Sequence, residues 1–256
     1  MIKVILTGAL GRMSRAVADE IEQDRGIRLV GAVEAPGHSN LGKIFHGVKV
    51  GSTLQEIIDK GDVVVDFSCP EAALSHLAEA SAAGKPFITG TTGFSEGQLA
   101  EAEEVANNIP VLISPNMSAG VNLLFKMTKE VTRALPDFDV EIVEIHHNKK
   151  KDAPSGTAAK IAEIVRSVRK DSPVVCGREG FVGERPEKEI GMHSLRGGDV
   201  TGEHRIIFAG EGERFELVHR AHSRRTFARG TMKAIHFIHG LEPGLYTMDD
   251  LLGFGR

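Results

Sequence analysis

A glycine turn set between a β-branched strand and a helix opens the chain, and the alternation it begins restricts the fold more than any other feature. IKVILT (2–7) reads as a buried strand, GALGRMS (8–14) as the turn and helix start, and helical patterning continues to about Asp24. Further strands are expected at 27–34, 62–68, 86–89 and 111–114. Between them lie a helical piece near Leu54–Asp59, a helix from Pro70 to a stop at Gly84, and a helix from a Ser95/Gln98 capping box to about Asn107. Strands and helices in strict alternation predict a parallel sheet covered on both faces.

After Asn116 the pattern changes. A helix from Ser118 to about Leu135 precedes the strand DVEIVEIHH, a basic loop and a helix from Gly156 to about Arg169. Residues 171–190 are rich in Gly, Pro and charge and read as an extended loop. Strands follow at 192–196, 203–210 and 214–221, the last two as an antiparallel hairpin, and a helix from Arg225 to His239 stops at Gly240. The expectation is an α/β domain followed by an α+β domain, with hinges near Asn116 and Arg225; the last helix is free to return to the first domain.

Composition narrows the function classes. With 31 Lys and Arg against 35 Asp and Glu, the net charge of −4 offers no basic field for nucleic acid. No Trp and one Tyr leave few platforms for stacking single-stranded bases. Two cysteines, Cys69 and Cys176, cannot form a disulfide framework or a cysteine zinc cluster. No apolar run is long enough to span a membrane, and the opening residues lack the build of a signal peptide. A soluble, cytoplasmic chain without a metal is expected.

Gly8 and Gly11 let the backbone turn tightly and approach a pyrophosphate, which the N–H groups at a helix N-terminus favour. Leu10 and Ser14 stand where the full dinucleotide fingerprint often has glycines, which puts close packing of the first helix in question. Glu34 ends the second strand, where a carboxylate accepts from both ribose hydroxyls, and Ala35 beside it offers no charge to a 2′-phosphate. The cofactor reading is therefore NADH or NADPH with NADH favoured, unless Arg12 or Lys43 compensates. The competing reading is an ordinary βα turn with a solvated Glu34. GTTG (90–93) and SPNM (114–117) lie at the carboxyl ends of strands, where an open α/β sheet places its ligand crevice.

EIVEIHHNKKKDAPSGTA (141–158) carries the chemistry. Paired histidines end a strand, lysines follow, and a Pro-Ser-Gly-Thr turn opens a helix. Imidazole suits general acid–base work, a nearby lysine adds fixed positive charge or a second proton, and Gly156-Thr157 offers N–H groups and a hydroxyl to a carboxylate. A solvated basic turn is the plain alternative. His219, Arg220, His222, Arg224 and Arg225 form a second basic set, read mainly as strand face and helix start. His236 and His239 have metal-like spacing but no completing ligands. Two other functions fit the same features: a two-domain nicotinamide dehydrogenase for a different carboxylate, and a nucleotide-sensing protein whose basic segment meets a nucleic acid or protein partner.

The motif E-x-x-E-x-H-H-x-x-K-x-D-x-P-S-G-T-A from Glu141 to Ala158 resembles that of the dihydrodipicolinate reductase family of bacterial lysine and diaminopimelate biosynthesis. GxxGRM at 8–13, GTTG, PNMS at 115–118, GEH at 202–204 and HRAHSR at 219–224 occur in the matching order. The resemblance implies NAD(P)H-dependent reduction of a cyclic imine dicarboxylate, 4-hydroxy-tetrahydrodipicolinate, with loss of water. It implies a Rossmann-type domain of residues 1–116 plus 226–256, and a substrate domain of 117–225 whose open mixed sheet also builds a homotetramer. It places the cofactor at Gly8, Ala9, Leu10, Gly11, Arg12, Met13 and Glu34, at the backbone of Gly90, Thr91 and Thr92, and at Ser114, Pro115, Asn116 and Met117. It makes His146 the proton donor/acceptor and Lys150 the proton donor, with His147, Gly156 and Thr157 on the substrate.

Overall fold

The computed structural model describes residues 1–254, so the end of the expected 226–256 segment, residues 255–256, lies outside the described residues. The chain divides into two compact units. One holds Met1–Ala119 and the chain from Arg224 on; the other is Gly120–Ser223.

In the first unit, strands β1 (Ile2–Thr7), β2 (Ile27–Val33), β3 (Ile44–Phe45), β4 (Val48–Gly51), β5 (Val63–Asp66), β6 (Phe87–Thr89), β7 (Pro110–Ile113) and β13 (Gly244–Tyr246) form one sheet. Their order is β13-β7-β6-β5-β1-β2-β4-β3. Every pairing is parallel except that of β3 with β4. Helices α1 (Arg12–Ile21) and α6 (Arg225–Ile238) lie over one face and α2 (Pro70–Ala82) and α3 (Glu96–Val105) over the other. Consecutive strand residues divide between the two cores. Val4, Leu6, Val63, Val65, Ile88 and Leu112 join Val17, Ala18, Ala234 and Ile235. Ile5, Val64, Phe87 and Val111 join Leu77, Ala80 and Ala102. Side chains alternate across a strand, so apolar runs of this kind require cover on both sides.

The local punctuation behaves as its chemistry demands. Pro70 occupies the first helical position after Cys69, Gly84 follows the end of α2 at φ +63°, and Ser95 and Gln98 close a reciprocal capping box. Three features depart from the sequence reading. The stretch near Leu54–Asp59 is a turn ending in the 3₁₀ segment Ile58–Lys60 rather than a helix. β3 and β4 are joined by His46-Gly47, both at positive φ, a hairpin too short to show alternation. After α6 the chain adds β13 and α7 (Met248–Leu251), which a Thr247/Asp250 capping box starts.

In the second unit β8 (Asp139–His146), β9 (Val174–Cys176), β10 (Ile190–Arg196), β11 (Gly202–Gly210) and β12 (Glu213–Ala221) take the order β12-β11-β8-β10-β9. β8, β10 and β9 run parallel while β11 is antiparallel to β8 and to β12, which makes the expected mixed sheet. Helices α4 (Ala119–Ala134) and α5 (Gly156–Val168) contribute Leu124, Ala158, Ile161 and Val165 to a core with Val140, Ile142, Ile206 and Phe208. The 171–190 stretch is not wholly a loop, because it contains β9 and reaches the first residue of β10. Its remainder is pinned by Arg178 and Arg185, whose guanidinium groups donate to Glu141 at 2.8 and 3.1 Å. Burial raises the Glu141 pKa, but hydrogen bonds from Arg178, His193 and Arg185 outweigh it and hold the group at about 2.

Ser14 answers the question its sequence raised. It is completely buried, so α1 seats closely without a third glycine, yet its Oγ has no hydrogen-bond partner. A buried unpaired hydroxyl costs about 1–3 kcal/mol. Ser14→Ala is therefore expected to raise the denaturant midpoint, by the equivalent of about 1 kcal/mol; an unchanged or lower midpoint would show that the hydroxyl is satisfied.

Candidate functional site

In the first unit the cluster grows from strand ends. The strand order turns back at β1, whose neighbours are β2 on one side and β5 on the other, and ligands of open α/β sheets bind beyond the carboxyl ends of strands at such a point. There a cleft of about 340 Å³ is lined by Gly8, Gly11, Glu34, Ala35, Ser68 and His76, among others. Gly8 sits at φ +60°, and a Cβ there would lie 2.4 Å from the Phe67 carbonyl oxygen, so no other residue fits without moving backbone. Gly11 is the N-cap of α1 and supplies no side-chain cap, which leaves the helix start to an incoming anion.

Glu34 accepts from the Leu10 N–H at 2.9 Å and from its neighbour Ala35 at 3.0 Å. The carboxylate thus braces the glycine turn, and with about four acceptor positions it keeps capacity for hydroxyls. Lys43 donates to Asn40 at 2.6 Å. Below the cleft, Asp66 is fully buried at the end of β5. It accepts from Thr7 Oγ1 at 2.6 Å, Thr91 Oγ1 at 2.7 Å, Ser68 Oγ at 2.8 Å and His76 Nδ1 at 2.9 Å. Burial pushes its pKa up, but the bonds from His76, Thr7 and Thr91 prevail and hold it below the ordinary value.

Other expected cofactor positions differ in what they expose. Thr91 turns its hydroxyl inward to Asp66 and donates its N–H to Thr89 Oγ1 at 3.0 Å, so only its carbonyl remains for a ligand, whereas Thr92 and Pro115 are exposed. Ser114 Oγ donates to the Asn116 carbonyl at 2.8 Å, and the Asn116 side chain accepts from Ser118 N–H at 2.9 Å. The Met117 side chain belongs to the core. Gly230 of α6 passes so close to the Met117 carbonyl that a Cβ would stand 1.6 Å from it. Gly90 lies against the Phe67 ring, where a Cβ would stand 2.2 Å from the nearest ring carbon, so any larger residue would have to displace the ring. Ala9 is buried, while Arg12 is exposed at the helix start.

In the second unit the cluster forms where β8 ends. His146 Nδ1 lies 2.5 Å from the Glu144 carboxylate, two residues back on the same strand and therefore on the same face. Glu144 is fully buried and also receives both Arg196 terminal nitrogens at 2.9 Å and the Ser155 N–H at 3.1 Å. Burial raises its pKa, yet these donors, Arg196 first and then His146, hold it at about 2. An ionised carboxylate only accepts, so Nδ1 carries the proton and Nε2 is left for other work. Burial lowers the His146 pKa in turn, against the Glu144 contacts that raise it.

His204 stands edge-on to His146, ring centres 5.2 Å apart, and pairs through Nε2 with Ser155 Oγ at 3.1 Å. Burial, then the nearby His146, push its pKa down to about 3, so it is neutral. Ser155 caps α5 by accepting from Ala158 N–H at 3.2 Å, which puts Gly156 and Thr157 in the first turn; the space beside Gly156 is open. Lys150 forms an ion pair with Asp152, at 2.9 and 2.8 Å to its two oxygens. His147 Nδ1 is buried with no protein partner.

Sequence reasoning singled out His146, His147, Lys150, Gly156 and Thr157 but missed Glu144, Arg196, Ser155, His204 and Asp152. Glu144 could have been found, because a carboxylate two places before a strand-end histidine shares its face; the partners from other strands leave no such local sign. Among the described residues no group of three or more His, Cys, Asp or Glu could hold a metal. No helix among them is long and apolar enough to cross a membrane.

Comparison with known proteins agrees across both units. Residues 2–117 match the family described as dihydrodipicolinate reductase, N-terminus, and residues 120–252 the C-terminus of the same family. The 4-hydroxy-tetrahydrodipicolinate reductase of Syntrophobacter fumaroxidans is 45% identical, covering 99% of each chain. That of Aquifex aeolicus is 46% identical over 98% of this chain and 99% of its own. Among solved structures, dipicolinate-bound dihydrodipicolinate reductase from Paenisporosarcina sp. TG-14 superposes with a TM-score of 0.82 at 27% identity, covering 96% of this chain and 97% of that one. An amine dehydrogenase from Mycobacterium smegmatis, at 13% identity and a TM-score of 0.60, shares the fold.

The buried histidines set a pH limit on stability. A folded-state pKa of about 3 for His204 lies below its ordinary 6.5, so the unfolded chain takes up the proton first as pH falls. Its contribution is complete above pH 6.5 and is lost as pH descends toward 3, with His146 and His219 shifted in the same direction. Denaturant midpoints should fall between pH 6.5 and 4.5, before most carboxylates titrate, and His204→Asn should flatten that slope. An equal slope in both proteins would locate the titration elsewhere.

Proposed function

The chain belongs to the dihydrodipicolinate reductase family, and we propose that it reduces (2S,4S)-4-hydroxy-2,3,4,5-tetrahydrodipicolinate to tetrahydrodipicolinate with NAD(P)H, a step of lysine and diaminopimelate biosynthesis. The observation that carries the reading is an imidazole held by a buried carboxylate beside a lysine and a helix start, in a chain that matches reductases from end to end. The dinucleotide fits the first unit on its chemistry: a glycine turn that admits no Cβ, a helix start without a side-chain cap, and a carboxylate with acceptor capacity to spare.

When bound, the cofactor supplies the hydride. Gly8 to Met13 would receive the pyrophosphate, with Glu34 on the adenosine ribose and the backbones of Gly90, Thr91, Thr92 and Ser114 to Met117 on the remainder. Glu34 would stand beside a 2′-phosphate, Ala35 brings no countercharge, and Lys43 is engaged by Asn40, all of which favour NADH.

On the substrate, Gly156 and Thr157 hold one carboxylate at the start of α5, and His147 contributes a further contact. Reduction leaves negative charge on the conjugated ring nitrogen and carbon. Lys150 stabilises that charge or donates a proton, exchanging its Asp152 partner for the substrate, and His146 completes proton transfer. One hydride and one proton enter and one water leaves.

The face of the second sheet opposite α4 and α5 carries Leu195 and Val218, 45% and 39% exposed, with ion pairs Arg220–Glu203 and Arg205–Glu216 beside them. Apolar side chains on an uncovered sheet favour association with other copies, and a homotetramer is the expected assembly. Light scattering giving the mass of a single chain would exclude it.

Turnover is tested by supplying the condensation product of pyruvate and aspartate-semialdehyde and following oxidation of each cofactor. A higher kcat/KM with NADH is expected; no oxidation of either would overturn the activity, and an NADPH preference would overturn the roles of Glu34 and Ala35. His146→Ala and Lys150→Ala should each lower kcat by about 10²–10⁴ with smaller changes in KM. Wild-type kinetics in both would remove the two proton-transfer assignments.

A further inference from the structure

We propose that Glu144 is the positioning residue of this site: it fixes the His146 ring so that Nε2 exchanges the proton, and the same carboxylate ties that ring to Arg196 and to the turn that begins α5. The proposal rests on the reading of His146 as the proton-transfer group.

Donors from four residues converge on Glu144: His146 Nδ1, the two terminal nitrogens of Arg196, Ser155 N–H and the Ser194 side chain. Together they leave none of the roughly four acceptor positions of a carboxylate free, so its plane and charge are both determined. An ion pair alone would need only Arg196. The additional bonds join β8, β10 and the Pro-Ser-Gly-Thr turn, and with them the acid–base ring and the start of α5, at one buried group. The far side of the ring agrees. A Cβ on Gly202 would lie 3.1 Å from His146 Nε2, so glycine at the start of β11 keeps that nitrogen clear.

The groups facing His146 are Glu144 from its own strand, Arg196 from β10, His204 from β11, and Lys150 from the following loop. His219 of β12 lies behind His204, its partner in strand register. Burial and the two cations disfavour the imidazolium, and Glu144 alone opposes them. Without its charge, the limb of the pH profile that belongs to His146 should move to lower pH. A glutamine in its place can also turn an N–H toward Nδ1, which would drive the ring proton to Nε2, the tautomer wrong for catalysis.

Two measurements test this: the ring-nitrogen shifts of His146 by ¹⁵N NMR in the wild-type protein, and the kinetics of Glu144→Gln. Wild-type protein should carry the proton on Nδ1 at neutral pH. Glu144→Gln should move it toward Nε2, lower kcat by about 10²-fold with little change in KM, and shift the acidic limb downward. A wild-type proton on Nε2 overturns the proposal, and so does a Glu144→Gln enzyme with unaltered kcat and limb. His146→Asn separates this from the underlying reading. If His146→Asn abolishes turnover while Glu144→Gln is normal, Glu144 alone loses its role. If His146→Asn is active, the acid–base reading fails and the tautomer of the two proteins still decides whether Glu144 orients the ring. Should Glu144→Gln not fold, the wild-type tautomer decides.

Discussion

A carboxylate removed from water persists as an anion only where enough donors surround it, and both functional clusters of this protein are organised by that requirement. Asp66 in the first unit and Glu144 in the second are fully buried, stand at or near the ends of strands, and draw donors from segments far apart in the sequence. Each ties strand ends to the loops and helices beside them. Asp66 links the strand before the glycine turn with the GTTG loop and with α2. Glu144 links the paired histidines with β10 and the start of α5.

The sheets supply the positions that these anions then connect. Parallel strands place successive loops at one end, so Gly8, Glu34, Ser68 and Gly90 gather although some 80 residues separate the first from the last. The mixed sheet works differently: β8 and β10 are parallel, which brings the ends bearing His146 and Arg196 into register. α6 secures the first unit from the far end of the chain. Gly230 admits the Met117 carbonyl, and Arg225 donates to Glu20 of α1 at 2.5 Å.

Most of the architecture could be read from the residues alone because its signals are local. The alternation of strands and helices, the caps at Ser95 and Pro70, the stops at Gly84 and Gly240 and the hairpin of β11 and β12 each depend on a few neighbouring side chains. The short elements were not legible. β3, β4, β9 and β13 have two to four residues each, too few for a period to appear, and they form only because a sheet edge is available to pair with. The helix expected near Leu54–Asp59 had helical composition but collapsed to a single tight turn.

The residues by themselves determined the chemistry available: glycines where backbone must approach closely, a strand-end carboxylate, paired histidines, a lysine and an uncharged helix start in one short run. Tertiary structure decided how those groups are held. Lys150 is paired with Asp152, Glu34 braces Leu10, and Arg196 reaches Glu144 from 52 positions away. The physical reason is range. Conformational preference acts over a few residues, whereas a proton's place on an imidazole ring depends on which donors and charges the fold brings within about 3 Å of it.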